Sequence, residues 1–252
     1  MNNMDNIKLE NIINKELNVN KINDYLPNGL QIEGCKEIKI VVIGVSLCQE
    51  LLDKAVMLNA DAVIVHHGLF WKNENPVIKG IKYNRIKTIL NNSINLYCWH
   101  LPLDIHYEFG NNVQLAKLLS IEICGKIHPF VFWGEFKHFI SYNELIFNIN
   151  KIFLRKPYHC SSKSNLSNLI KKIAWCSGAG QNYIDYAINF GVDAFITGEI
   201  SEQTFHIIRE NNIHFFSIGH YVSERYGIIS LGMWLKDKYN LKITFFDVDN
   251  PI

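Results

Sequence analysis

Ala62-Val63-Ile64-Val65-His66-His67-Gly68 is the stretch on which the reading of this chain turns. Four apolar, mostly β-branched residues run straight into two histidines and a glycine. The run predicts a buried strand, since it is too short for a helix of its own. The histidines then fall at the carboxyl end of that strand, the rim where open α/β sheets bind ligands. Consecutive strand residues point to opposite faces. Both imidazoles can serve one site only if the chain turns there, and Gly68 permits the turn.

Working outward, apolar strands are expected at Ile38–Val45 and Ile94–His100, with helices from about Cys48 to Asn59 and over Asn84–Asn92. An opening helix over 5–20 precedes them. Between lies Asp24-Tyr25-Leu26-Pro27-Asn28-Gly29-Leu30-Gln31-Ile32-Glu33-Gly34, whose Pro-Asn-Gly core reads equally as a plain surface turn or as a pocket-lining loop. A further helix begins near Asn111-Asn112, either of which can cap it. The tract 121–170 is punctuated by Gly and Pro and holds one helical stretch, 142–153; the Ser/Asn-rich loop 161–168 is the expected break between halves.

From Ile173 the first half starts again. Leu52–Ile64 (LDKAVMLNADAVI) set over Ile184–Ile196 (IDYAINFGVDAFI) matches helix, turn, Asp-Ala and apolar strand in register. Gly191 stands where a helix-ending glycine belongs, and Ser201 is a candidate cap for the next helix. The following units match too. One strand ends in His100 with Asp104 four residues on; the other ends in His220 with Glu224 four residues on. The expected architecture is therefore α/β, two similar βαβαβ halves, divided as 1–124, a connecting region 125–170, and 171–252. If the halves pack face to face, His66, His67, Asp104, His220 and Glu224 converge.

Imidazole with carboxylate suits first-row divalent cations such as Zn, Fe, Mn, Co or Ni. Five ligands exceed the needs of one tetrahedral zinc with an open position, and two cations that activate a water are the usual arrangement for such a set. His100 reads as a residue orienting Asp104 or as a packed strand end. Glu199, at the place His67 holds in the first half, either lines the pocket or makes a structural hydrogen bond. These two are the candidates for a catalytic acid or base. His106 and Glu108 read as solvated loop residues, and His128, His138, His159 and His214 as surface or hydrogen-bonded ones. The Gly178-Ala179-Gly180 loop lacks either phosphate-binding glycine fingerprint.

Bulk properties exclude several classes. Lys+Arg 25 against Asp+Glu 24 gives a net charge of +1, a poor footprint for coating nucleic acid. The six cysteines form no C-x-x-C pair and read as reduced. No signal core or apolar run of membrane-spanning length is present, so a soluble cytoplasmic protein with no membrane partner is expected.

Asp24–Gly34 (DYLPNGLQIEG), Val63–Lys72 (VIVHHGLFWK), Tyr97–Asp104 (YCWHLPLD), Gly191–Gln203 (GVDAFITGEISEQ) and Gly219–Glu224 (GHYVSE) together resemble the NGG-interacting-factor-three-like family, whose bacterial members carry the name GTP cyclohydrolase I type II homologues. The resemblance runs end to end and closely matches the short enterobacterial form. It implies two α/β halves around a dinuclear metal centre held by His66, His67, Asp104, His220 and Glu224, and a toroidal homohexamer. It also implies a metal-dependent hydrolase of GTP or damaged nucleotides. The rival expectation is a non-enzymatic, metal-binding hexameric scaffold.

Overall fold

The structure is a computed structural model that describes residues 4–162 and 167–252. Eleven strands occur among the described residues: β1 (Gly29–Ile32), β2 (Ile40–Ser46), β3 (Ala62–His67), β4 (Asn95–Cys98), β5 (Ile121–His128), β6 (Val131–Ser141), β7 (Tyr158–Ser161), β8 (Leu169–Cys176), β9 (Ala194–Thr197), β10 (His214–Ser217) and β11 (Lys242–Phe245). They form two mixed sheets, ordered β1-β4-β3-β2-β11 and β5-β6-β8-β9-β10-β7. By contact the chain divides into one unit of Met1–Phe109 with Gly227–Asp249, and a second of Gly110–Tyr226 with Asn250–Ile252.

In the first unit β11, β2, β3 and β4 run parallel, and β1 pairs antiparallel with β4. Helices Gln49–Met57 and Gly80–Asn91 make the two crossovers, which gives the expected βαβαβ. Val42, Val63, Val65 and Leu96 meet Leu51, Leu52, Ala55 and Ile89 in one buried cluster. Parallel strands covered by crossover helices need such near-continuous apolar runs. The second crossover helix starts four residues earlier than the pattern predicts. Only Ile89 of it is buried, and Ile81 and Tyr83 of its first turn are exposed, so no buried apolar face marks its start.

In the second unit β8, β9 and β10 are parallel, with helices Ile184–Phe190 and Glu202–Glu210 between them. Ser201 caps as expected, its side chain accepting from Thr204 N–H, and Gly191 ends its helix at φ +72°. The tract 121–141, illegible in sequence, is the hairpin β5–β6, antiparallel to each other and to β8. Helix Tyr142–Phe153 follows where expected. Of the expected loop 161–168, residues 163–166 lie outside the described residues.

The division by repeat and the division by contact are different partitions. The closing strand β11 pairs with β2, not with the repeat that precedes it, and hairpin β5–β6 extends the second sheet. Two local corrections follow. Gly110, not Asn111 or Asn112, is the cap of helix Asn111–Leu119. Asn112 is buried and binds Ser177 N–H and the Trp175 indole instead. His106 is not solvated: it is 5 % exposed and its Nδ1 accepts from the Glu108 and Phe109 N–H groups. Its neighbour Glu108 is exposed as expected. His159 and His214 bond to each other, and none of the six cysteines is in a disulfide. No helix among the described residues is long and apolar enough to cross a membrane.

Candidate functional site

In the first unit β3 delivers His66 and His67 to the carboxyl edge of the sheet, as the sequence requires. His66 is fully buried, and its Nδ1 lies 2.9 Å from the Trp99 carbonyl oxygen. That oxygen only accepts, so Nδ1 carries a proton and Nε2 is the nitrogen left to face the carboxylate. Nε2 lies 3.5 Å from Asp104 Oδ2. Asp104 is 6 % exposed and ends the four-residue helix Leu101–Asp104, set just beyond β4. His67 Nδ1 is 2.9 Å from Ser46 Oγ, at the tip of β2.

His100 joins these residues. One ring nitrogen from each of His66, His67 and His100 lies within 4.8 Å of the others. His100 Nδ1 is held by Asp24 Oδ1 at 3.0 Å, and its backbone carbonyl accepts from Asp104 N–H at 3.2 Å. Asp24 also accepts from Leu26 N–H, Leu101 N–H and the Asn28 amide, while Asn28 Oδ1 accepts from His100 N–H. Burial raises the Asp24 pKa, but the His100 hydrogen bond and charge, with Asn28 and Leu26, outweigh it and bring it down to about 2. The loop 24–34 is thus a site-lining loop rather than a plain turn, and its end continues as β1.

In the second unit the same motif sits past β10. His220 opens the four-residue helix His220–Ser223, and Glu224 follows it, 3 % exposed. His220 Nε2 is 3.1 Å from Glu224 Oε2, and its Nδ1 is 2.5 Å from Glu199 Oε1. Glu199 therefore orients an imidazole, and Gln181 in turn donates to its other oxygen at 3.2 Å. Burial lowers the His220 pKa; the hydrogen bonds and charges of Glu224 and then Glu199 outweigh it and lift it to about 9.

Two glycines make this packing possible. Gly178, at φ +62°, lies so close to Glu224 Oε1 that a Cβ there would overlap the carboxylate. A Cβ on Gly198 would stand 2.6 Å from the Gly178 carbonyl and 2.7 Å from His220 Cα. The Gly178-Ala179-Gly180 loop is a brace, not a phosphate cradle. Gly198 N–H and the Thr197 hydroxyl donate to Gly178 O, Gly178 N–H donates to Ser223 Oγ, and Gly180 N–H donates to Thr197 Oγ1.

These donor sets fit divalent cations. In each unit a buried carboxylate faces an imidazole Nε2 whose other nitrogen is held by an oxygen. Two lone pairs pointed at one another repel unless something positive lies between them. In His220–Glu224 a proton meets that need, which is why the imidazole pKa rises; a metal ion meets it with more charge. The outer oxygens, Trp99 O and Glu199, are the partners that metal-binding histidines generally use. Sequence reasoning named the five inner residues but missed Asp24, whose signal was its place in the Pro-Asn-Gly loop.

Comparison with known proteins agrees with this geometry. The chain is 54 % identical over 248 residues to a GTP cyclohydrolase 1 type 2 homolog of Buchnera aphidicola subsp. Schizaphis graminum, covering 98 % of this chain and 100 % of that one. It is 52 % identical to the homolog of the same name in Escherichia coli K12, with the same coverage. A solved structure of protein ybgI, described as of unknown function, superposes with a TM-score of 0.96 at 52 % identity, covering 99 % of this chain and 100 % of that one. The family profile for Duf34/NIF3 (NGG1p interacting factor 3) spans residues 4–251. With two βαβαβ repeats, each ending in a histidine and a carboxylate four residues on, the chain belongs to the Duf34/NIF3 family.

Proposed function

We propose that this chain is a hydrolase dependent on two divalent cations, held by His66, His67, Asp104, His220 and Glu224, and that it acts on a nucleotide. The observation that carries the reading is the pairing, in each unit, of a buried carboxylate with the Nε2 edge of an oriented imidazole. Such an arrangement is costly to bury without a cation. When bound, two such cations supply Lewis acidity and make water a competent nucleophile near neutral pH.

The chain's own residues do the rest. Trp99 O and Glu199 fix the tautomers of His66 and His220, so that Nε2 is the ligating atom of each. Asp24 holds His100 Nδ1, which leaves His100 Nε2 to take or give a proton at the reacting group, with the Tyr25 hydroxyl 3.5 Å away. The relatives' name points to purine nucleotides as substrates. Hydrolysis of that class adds water to the ring carbon between two nitrogens and breaks one carbon–nitrogen bond.

The test pairs metal analysis with turnover. Wild type should carry about two divalent cations per chain and open or hydrolyse a member of a panel of GTP and oxidised nucleotides. His66→Ala and Glu224→Ala should each lose metal and at least ~100-fold in turnover, more than the loss typical for outer partners. Wild type that keeps its metals yet is inert on the whole panel would establish the scaffold reading instead. A homohexamer, checked by light scattering, belongs to both readings.

A further inference from the structure

We propose that Tyr25 and Trp71 form a stacking wall beside His67 and His100 that receives the purine ring of the substrate. This rests on the nucleotide reading above and adds the part of the chain that recognises the base. The wall lies wholly within the first unit.

Trp71 is 39 % exposed and Tyr25 is 49 % exposed. Trp99 and Trp175, by contrast, are at most 1 % exposed, and Trp133 and Trp234 are half-buried. A large aromatic surface held in the open beside a site is a binding surface more readily than a packing residue. The two rings lie 6.3 Å apart, tilted by 33°. At that separation they touch each other and leave no slot for a third ring between them. They form a platform, and a ligand ring lies on their outer faces.

The platform is built into the histidine cluster. Tyr25 meets His100 edge-on at 5.0 Å and 73°, and Trp71 meets the same ring at 6.1 Å and 67°. Trp71 also lies 5.6 Å from His67. Its two loops are tied together by one side chain. Gln31 Oε1 accepts from Leu69 N–H at 2.8 Å, and Gln31 Nε2 donates to Pro27 O at 2.9 Å. Gly68 lets that amide approach, since a Cβ there would overlap it. The loop carrying Tyr25 and the loop carrying Trp71 are therefore positioned before any ligand arrives, which lowers the ordering cost of binding. A purine has the flat π-face such a wall accepts, whereas a ribose or a phosphate alone has none.

The experiment measures binding to the full chain, with and without added Zn²⁺ or Mn²⁺, using guanosine 5′-monophosphate and ribose 5-phosphate as probes. Tryptophan emission and calorimetry are read together. Guanosine monophosphate should change the emission of wild type, and Trp71→Leu should abolish that change. Trp71→Leu and Tyr25→Leu should each bind the nucleotide about 5- to 100-fold more weakly, the range for removing one base-stacking aromatic. Ribose 5-phosphate affinity should stay unchanged in both. Trp71→Phe and Tyr25→Phe should recover most of the loss, which separates stacking from misfolding.

Equal weakening of both probes, or no effect of Trp71→Leu on the nucleotide, overturns the proposal. So does a wild type that binds ribose 5-phosphate as well as it binds the nucleotide. The hydrolase reading fails independently: a chain that stacks the nucleotide through Trp71 but turns over nothing keeps the wall and loses the reaction. A chain that turns over substrate with no dependence on Trp71 keeps the reaction and loses the wall.

Discussion

The two βαβαβ repeats share a frame and differ at its tip. Ala62 of β3 pairs with Val41 and Asn95, and Ala194 of β9 pairs with Ile173 and His214, so the registers correspond residue by residue. Asp61 accepts from Lys39 and Ile40 N–H, and Asp193 accepts from Lys171 and Lys172 N–H, all between 2.8 and 2.9 Å. The Asp-Ala that revealed the repeat in sequence is thus a staple at the strand entrance, the same in both copies. At the strand exits the copies part. The first offers His66-His67; the second offers Gly198-Glu199. In the first, His100 draws its carboxylate from Asp24, outside the repeat. In the second, His220 draws it from Glu199, just past the end of the neighbouring strand β9. The entrance keeps the fold and the exit carries the candidate ligands, so substitution at each should break different things.

The largest effect is expected at the exit that gave up its side chain. Gly198→Ala places a Cβ against the Gly178 carbonyl and His220 Cα, both backbone atoms that cannot step aside. Overpacking of this kind costs about 3 kcal/mol, and the shift falls on the residue that presents Nε2 to Glu224. Denaturant unfolding should show the loss, and metal content should fall with it. An unaltered unfolding midpoint with intact metal binding would mean that the glycine answers to something other than close approach.

A second contrast lies at the entrance of the third strand. Asn95 and His214 occupy the same register position, and both are buried. Asn95 accepts from Gly34 N–H and donates to Cys35 O and Asp61 O. His214 Nε2 donates to Ser167 O, and its Nδ1 accepts from His159 Nε2 at 3.0 Å. An amide does not titrate; this imidazole pair does. Burial, then the neighbouring His214, lowers the His159 pKa to about 4, and burial lowers that of His214 as well. The unfolded chain binds protons at these rings that the folded chain refuses, so their stabilising share is complete above about pH 6.5 and lost as pH falls toward 4. The loss should amount to roughly 2 kcal/mol after allowing for partial solvent access. Stability measured from pH 7 to 4.5 should fall less steeply in His159→Gln. An identical slope in wild type and variant would place the acid sensitivity elsewhere.

Sequence read the frame well because the frame is periodic. Buried parallel strands such as Val63–Val65 and Phe195–Ile196 are unbroken apolar runs, and amphipathic crossovers separate them. The five candidate ligands could be picked out because they stand at the ends of those runs or a few residues beyond them. What stayed hidden lacks local period. β1 is four residues long and reads as a turn, since its strand partner among the described residues is β4, more than sixty residues on. Hairpin β5–β6 has mixed exposure and two register shifts, which erases alternation. Asp24 and Gln31 act across the fold, on His100 and Leu69, and nothing beside them in the chain announces those partners.

The smallest predicted effect tests whether the helix ends of the two repeats are also equivalent. Asn59 and Gly191 align, and both adopt left-handed backbone, φ +50° and φ +72°. Asparagine and glycine are the residues that enter this region at least cost. Nothing lies within 4 Å of a Cβ on Gly191, so Gly191→Ala pays only the backbone penalty, about 1 kcal/mol. Gly191→Asn should cost less than half of that, because the first repeat already uses asparagine there. Asn59→Gly should likewise stay within about 0.5 kcal/mol of wild type, its easier φ offset by the greater freedom of glycine in the unfolded chain. Chemical unfolding of the three variants measures all of this on one scale. A Gly191→Asn variant as weak as Gly191→Ala would show that the two turns share a dihedral but not a mechanism, and the equivalence of the repeats would stop at the staple.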